Sequence, residues 1–201
     1  MSPYSHLDDE EAESPPMGEP NAFLEEALFK ARTILLTGGI DFKQAKRVCE
    51  RLLALSSANP KEPILLVISS PGGHVESGDM IHDMIKFVTA PVKVLGTGWV
   101  ASAGALIYSA AKKENRFALK NTRFLLHEPR GGVGGQATDV EIQAREILKM
   151  RERLNQIFAD ATGKSLEQIK KDTDRDFWMS AEEAVKYGLV NKIVTNQGEI
   201  K

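Results

Sequence analysis

The stretch PILLVISSPGGHVESGDMIHDMIKFV (residues 63–88) decides the fold class of this chain. Residues 63–70 are too apolar for a strand with one wet face, which is typical of a strand covered on both faces in a parallel sheet. The turn 71–73 combines a proline, which fixes one dihedral, with two glycines, which adopt conformations that other residues avoid. Residues 78–88 then place apolar side chains at helical spacing. The stretch therefore predicts a strand–turn–helix unit.

The same unit recurs along the chain. Short apolar runs predict further strands, and apolar residues at helical spacing predict further helices. The predicted strands are 33–39, 91–98, 122–128 and 190–194, and the predicted helices are 42–58, 102–112, 139–161, 166–171 and 181–188. Repeated strand–helix units predict a mainly parallel α/β domain.

Three helix starts carry the pattern of a capping box, in which a hydroxyl side chain and an acid or amide three residues later cap each other's backbone. The pairs are Thr138–Glu141, Ser165–Gln168 and Ser180–Glu183. Gly188 is placed to end the last helix.

Composition narrows the class of protein. The chain has 201 residues, 42% hydrophobic and 27% charged, which suits one globular domain. A net charge of −2 gives no reason to expect a nucleic acid or an anionic membrane as partner. The single cysteine, Cys49, allows no internal disulfide and fits a reducing compartment. No secretory signal or membrane span is visible, so we expect a cytoplasmic protein.

Residues 1–20 differ from the rest of the chain. They hold six acidic residues and four prolines but no lysine or arginine. Such a segment buries too little apolar surface to offset its ordering entropy. We therefore expect a disordered acidic tail over 1–20, which is either a solvated leader or a docking segment, and a folded domain over 21–201.

The stretch GWVASAGALIYSAA (98–111) contains the most reactive position suggested by the sequence. Ser102 lies where a strand is predicted to turn into a helix, near free backbone N–H groups and the positive end of a helix dipole. The G-x-S-x-G pattern of a nucleophile elbow is not met, because Val100 occupies its first glycine position. Small residues of this kind also mark close helix packing, so a structural role for Ser102 stays open.

A serine nucleophile needs a base, and His127 is the histidine best placed for that role. It ends a predicted strand beside a glycine-rich loop, where α/β proteins place reactive groups. The turn 71–73 supplies a third element, because a backbone N–H in such a loop can face a developing oxyanion. Segments resembling phosphate-binding loops at 131–136 and 163–165 do not fit those motifs. No cysteine–histidine cluster supports a metal, so we expect neither an ATP site nor a metal in this chain.

Several motifs together resemble ClpP, the proteolytic subunit of the ATP-dependent Clp serine protease. They are SSPGG (69–73), ASAGA (101–105), LLHEP (125–129), GGVGGQATDVEIQAREIL (131–148) and DTDRDFWMSAEEAVKYGLV (172–190). The resemblance implies a crotonase-like α/β superhelix of strand–helix units, with a protruding handle helix over 139–161. It implies a serine endopeptidase that degrades unfolded proteins to peptides.

The resemblance also implies the roles of individual residues. Ser102 matches the nucleophile, His127 the general base and Asp176 the acid, a choice among three nearby aspartates that the residues alone leave open. The backbone N–H groups of Gly73 and Ala103 match the oxyanion hole. Residues that match the contact between two rings are Gln136, Glu141, Asp174 and Arg175.

The implied assembly is two stacked seven-membered rings that enclose the active sites. The expected partner is an AAA+ unfoldase of the ClpX or ClpA type, which would use the ATP and feed in unfolded chains. The chain departs from the family at its acidic N-terminus, at His74 after the glycines, and at Leu65 and Val67, where tyrosines commonly line the unfoldase-docking cleft. These departures favour a divergent second-type ClpP, with another ClpP subunit as a further expected partner.

Two other functions are compatible with the sequence. One is a catalytically quiet subunit that completes or regulates a mixed ring. The other is a crotonase-fold enzyme acting on acyl-CoA thioesters, against which the handle segment and the three triad residues argue.

Overall fold

A parallel sheet forms the centre of the chain. The computed structural model describes residues 22–130 and 134–200. The strands of these residues are β1 Thr33–Thr37, β2 Ile64–Ser70, β3 Val92–Ala101, β4 Arg116–Leu119, β5 Arg123–Leu126, β6 Phe177–Ser180 and β7 Lys192–Val194. The order β1-β2-β3-β4-β7 is parallel throughout. The predicted α/β class with a mainly parallel sheet is therefore confirmed.

The helices connect these strands. They are α1 Ala22–Lys30, α2 Phe42–Ala58, α3 Val75–Phe87, α4 Ala103–Ser109, α5 Ala137–Thr162, α6 Leu166–Thr173 and α7 Ala181–Tyr187, with 3-10 turns at Lys113–Asn115 and Gln197–Glu199. Helix α2 has the predicted bounds, and Asp41 caps it by accepting a hydrogen bond from the Gln44 N–H. Among the described residues, no helix is long and apolar enough to cross a bilayer.

The core lies between the sheet and its helices. In β2, residues Ile64, Leu66 and Ile68 are fully buried, and the alternate residues are half-buried. Tyr108 of α4 is also fully buried and donates its hydroxyl to the Phe117 carbonyl at 2.8 Å. Helix α4 is thus packed firmly against the sheet, which matters because it follows Ser102 directly.

Strand β3 divides the sheet into two parts. Its first half, Val94–Gly96, pairs with β4, whereas its second half, Trp99–Ala101, pairs with β5. Gly98 lies between the two halves with φ 61°, a conformation that favours glycine. Strand β5 in turn pairs with β6 in antiparallel register. We call the second half of β3 together with β5 and β6 the side branch of the sheet.

Helix α5 projects from the body of the chain as the predicted handle. Its buried residues begin only at Leu154, and its first three turns are largely exposed. The predicted start at a Thr138–Glu141 capping box is wrong. The helix begins two residues earlier at Ala137, its N-cap Gln136 makes no side-chain capping bond, and Glu141 instead accepts a hydrogen bond from Arg145.

Other helix ends follow the sequence more closely. The Ser180–Glu183 capping box is present, and Gly188 ends α7 in the left-handed conformation. Ser165 caps α6 by accepting from the Gln168 N–H. Helix α1 and the strands β4 and β6 were not predicted, because each is short and lacks a clear apolar period. The predicted acidic tail, 1–20, lies outside the described residues and stays a prediction.

Candidate active site

Ser102 occupies the junction between β3 and α4. Its backbone has φ 54° and ψ −120°, so it is one of two described non-glycine residues with positive φ, the other being Arg32. A non-glycine residue in such a conformation costs about 1–3 kcal/mol and persists only where neighbours impose it. The Ser102 N–H donates to the Leu125 carbonyl at 3.0 Å, so the pairing with β5 holds the junction in place.

The glycine turn lies against this junction. A Cβ added to Gly73 would lie 2.2 Å from the Ile40 carbonyl oxygen, which only a glycine avoids. The Ile40 N–H donates to the Gly72 carbonyl at 2.9 Å, and the His74 N–H donates to the Ile40 carbonyl at 2.8 Å. These bonds fix the loop but leave the Gly73 N–H without a hydrogen-bond acceptor among the described residues.

Ala103 provides a second free donor. It begins α4, and the first N–H groups of a helix have no acceptor within the helix. In the described part of the chain, the Ala103 N–H makes no hydrogen bond outside it either. The predicted donors of the oxyanion hole, Gly73 and Ala103, are therefore both available.

Strand register brings His127 and Asp176 together. Leu126 ends β5 and pairs with Phe177, which begins β6. The next facing positions are His127 and Asp176, and His127 Nδ1 lies 3.2 Å from Asp176 Oδ1. This Nδ1 is buried and makes no well-aligned hydrogen bond with any described atom. His127 and Asp176 are therefore close to each other but not aligned.

His127 and Ser102 line the same small cleft. Val75, Leu154 and Phe158 form apolar walls of that cleft. No hydrogen bond of the described residues joins Ser102 Oγ to His127. A larger cleft of about 800 Å³ lies between the carboxyl ends of α3, α4 and α5, but it contains none of the predicted site residues, so its size is no guide to the chemistry.

An arginine that sequence reasoning missed reaches the same carboxylate. Arg130 Nη2 donates a hydrogen bond to Asp176 Oδ1, the oxygen that also faces His127. This bond is the main reason that the pKa of Asp176 lies below its ordinary value. The pKa of His127 is also lowered, first by burial and then by the charge of Arg130. The basic residue three positions after His127 was the only sequence signal for this contact.

The residues predicted at the ring contact are exposed, and the described chain shows a contact among them only between the adjacent Asp174 and Arg175. Asp174 and Arg175 contact each other at 4.0 Å between Oδ2 and Nε, with side chains 70% and 93% exposed. Gln136 precedes the handle helix, and Glu141 lies on its first turns. Their roles stay predictions.

Comparison with known proteins places this geometry in a family. The model of the Clp protease family matches residues 18–197. The chain is 57% identical to ATP-dependent Clp protease proteolytic subunit 3 of Rhizobium etli, covering 96% of this chain and 97% of that protein. It is 56% identical to proteolytic subunit 2 of Gluconobacter oxydans, covering 99% and 88%.

A solved structure agrees with these sequence matches. A mutant of ClpP1 from Listeria monocytogenes superposes with a TM-score of 0.83 at 53% identity, covering 89% of this chain and 99% of that chain. The fold is therefore the ClpP fold. The matched relatives are numbered subunits 2 and 3, and the chain accordingly matches a second-type ClpP. It belongs to the Clp protease family and is a serine endopeptidase of the proteolytic-subunit type.

Proposed function

We propose that Ser102, His127 and Asp176 form the catalytic triad of this peptidase. Ser102 Oγ attacks the scissile carbonyl carbon while His127 takes its proton, and Asp176 orients and stabilises the resulting imidazolium. The N–H groups of Gly73 and Ala103 receive the oxyanion. The protonated His127 then gives its proton to the leaving amine, and water repeats the sequence to release the acyl group.

One observation carries this assignment: all three residues adjoin the side branch of the sheet. Ser102 directly follows β3, His127 directly follows β5, and Asp176 directly precedes β6. The branch pairs Ala101 with Leu125 and Leu126 with Phe177. Residues far apart in the chain are thus held at one edge of three short strands, which supports a shared function.

Ring assembly and association with Clp ATPases are general to the family. For this chain we propose two stacked heptameric rings, with unfolded proteins as substrates and a ClpX- or ClpA-type unfoldase as partner. The projecting handle supports the ring contact, because Ile142 and Leu148 expose 53% and 51% of their surface on it. The exposed Asp174 and Arg175 are available to the same contact.

The location of the protein, its domain division and its lack of a cofactor are also proposals. They are a cytoplasmic location, a separate acidic tail over 1–20 before the domain over 21–201, and the absence of any cofactor in this chain, with ATP used by the unfoldase. The family match gives no support to the acyl-CoA alternative.

A catalytically quiet subunit is the second candidate, and one observation favours it. In the single chain, Asp176 is hydrogen-bonded to Arg130 while the buried His127 Nδ1 has no described hydrogen-bond partner. In this state His127 lies within 3.2 Å of Asp176 Oδ1 without a well-aligned hydrogen bond. Contact with a second ring or with another ClpP subunit would then be needed to align it.

Labelling with a fluorophosphonate probe, followed by mass spectrometry, tests the assignment. We expect a single adduct on Ser102, absent in Ser102→Ala. Ser109→Ala is the matched control, because Ser109 lies in the adjoining helix and its hydroxyl donates to the Ala105 and Leu106 carbonyls. An adduct on another serine would overturn the assignment. Labelling of Ser102 that appears only after addition of another ClpP subunit would show a protease whose triad is completed by assembly, whereas no labelling even then would support the quiet-subunit candidate.

A further inference from the structure

We propose that Arg130 is a positioning residue that competes with His127 for the carboxylate of Asp176. The proposal rests on the proposed function of the triad and adds a fourth residue to it. In this arrangement Asp176 has two alternative partners, and only one of them supports catalysis.

The geometry of Asp176 Oδ1 is the observation that supports the competition. Arg130 Nη2 and His127 Nδ1 both approach this one oxygen. The arginine makes the hydrogen bond, whereas the histidine lies 3.2 Å away without one. A hydrogen bond between a guanidinium and a carboxylate is charge-assisted and stronger than one from a neutral imidazole. Arg130 therefore holds the acid when His127 is neutral.

The surrounding charges strengthen this effect. The charged groups that face His127 are Arg130, Asp176 and Glu128. Glu128 Oε2 is itself 3.3 Å from Arg151 Nη1 of helix α5. Each carboxylate near His127 thus has an arginine partner that offsets its charge. The imidazolium that forms during catalysis is therefore stabilised less than it would be by an aspartate that paired with His127 alone.

Arg130 is suited to leave this position. Its side chain is 69% exposed, so water can solvate the guanidinium when it leaves Asp176. Once it leaves, Asp176 can accept from His127 Nδ1–H and orient the ring. The strength of the base therefore depends on where the Arg130 side chain lies.

The pH dependence of Ser102 labelling tests the proposal in the full-length protein. Arg130→Gln removes the competing charge, so the pKa of His127 should rise. Labelling requires neutral His127. The pH at which the labelling rate falls on the acidic side should therefore increase by roughly one unit. The plateau rate should rise by about three- to tenfold, because the freed carboxylate then stabilises the imidazolium.

Two further variants test whether a cation at position 130, and not a positive charge elsewhere on the surface, sets the profile. Arg130→Lys keeps a cation at the position, and we expect its profile to stay near that of the wild type. Lys171→Gln removes one exposed charge from the last turn of α6 and should leave the profile unchanged. If Arg130→Gln and Lys171→Gln have the same pH of the acidic limb and the same plateau rate of labelling, the proposal is wrong while the assignment of Ser102 stands.

A measurement independent of activity covers the case in which no variant is labelled. Histidine NMR titration of the full chain, with the His127 signal identified by His127→Gln, gives its pKa directly. A higher pKa of His127 in Arg130→Gln than in the wild type supports the competition even if labelling fails. An equal pKa in both proteins overturns it.

Discussion

Gly72 and Ser102 are packed so closely that no side chain fits between them. A Cβ on Gly72 would lie 2.6 Å from the Cβ of Ser102, 3.1 Å from its Oγ and 3.0 Å from the Ala101 carbonyl oxygen. Gly72 also has φ 101°, which other residues rarely adopt. The position of the serine hydroxyl is therefore set partly by the absence of a side chain at Gly72.

Gly72→Ala should displace Ser102 and reduce both stability and activity. We expect a loss of about 1–3 kcal/mol in the free energy of unfolding from strain and overlap. A displacement of about 1 Å at Ser102, the proposed nucleophile, should slow labelling by roughly 10²-fold. Urea denaturation and probe kinetics measure the two effects.

Gly39→Ala is the matched control for this substitution. A Cβ at Gly39 would have no atom within 4 Å, and its φ is not positive. Labelling should proceed at the wild-type rate in this variant. Equal rates in the two alanine variants would contradict the role given to Gly72.

Arg32 stabilises the connection between α2 and β2. Its guanidinium donates to four carbonyls, those of Leu55, Asn59, Glu62 and Pro63, at 2.8–3.2 Å. Arg32→Met keeps the apolar part of the side chain but leaves these carbonyl acceptors unpaired. We therefore expect the free energy of unfolding to fall by about 2–4 kcal/mol. Lys30→Met is the control, because Lys30 is 73% exposed and, among the described residues, its ion pair is with Glu26 on its own helix. Urea unfolding at fixed protein concentration compares them, and equal midpoints would contradict the prediction.

Cys49 should be unreactive in the folded protein. Burial, and secondarily the charge of Glu50, raise the pKa of its thiol from 9.0 to about 11. At pH 8 the thiolate fraction is then about a hundredfold lower than in an unfolded chain. Reaction with an aromatic disulfide reagent, followed with and without guanidinium chloride, measures the difference. Equal rates in both conditions would show that the thiol is accessible and not raised in pKa.

The handle should lose its ring contact when charge is placed on its apolar residues. Ile142→Glu exposes a carboxylate where we propose that apolar surface is buried between rings, and burial of such a side chain is worth about 1.5–3 kcal/mol. Gln143→Glu adds the same charge at the neighbouring exposed position and serves as control. Sedimentation velocity should show smaller particles for Ile142→Glu only. Intact double rings in that variant would place the contact elsewhere.

Much of the fold could be predicted from local patterns. Helix α2 and strand β2 carry strong apolar periods, and Ser180 and Gly188 mark the ends of α7 by their capping chemistry. Strands β4 and β6 were missed, whereas the equally short β5 was recognised as part of the longer apolar run that ends at His127. The handle was predicted to start two residues too late, because Thr138 and Glu141 match a capping pattern. The actual N-cap is Gln136, whose side chain makes no capping bond and therefore gives no signal in the sequence.

The residues of the candidate site could not be predicted from local patterns alone. Its residues were named through a resemblance, since nothing local distinguishes Asp176 from Asp172 or Asp174. The difference lies in β6, where antiparallel pairing makes Asp176 the residue opposite His127. Arg130 was missed for the same reason, because its contact spans 46 positions of the chain.

The division of β3 has a consequence for the order in which the chain folds. Strands β5 and β6 are joined through the handle and α6, so their pairing closes a loop of about 50 residues. Non-local pairings of this kind form late, because their loop-closure entropy precedes any gain from contacts. The β1–β2–β3 core can assemble first from chain that precedes His127. Because the Ser102 junction is held by the pairing of β3 with β5, which needs no chain beyond Leu126, the proposed nucleophile and base can reach their positions before Asp176 does. A nascent chain therefore passes through its early folding stages without a complete proposed triad.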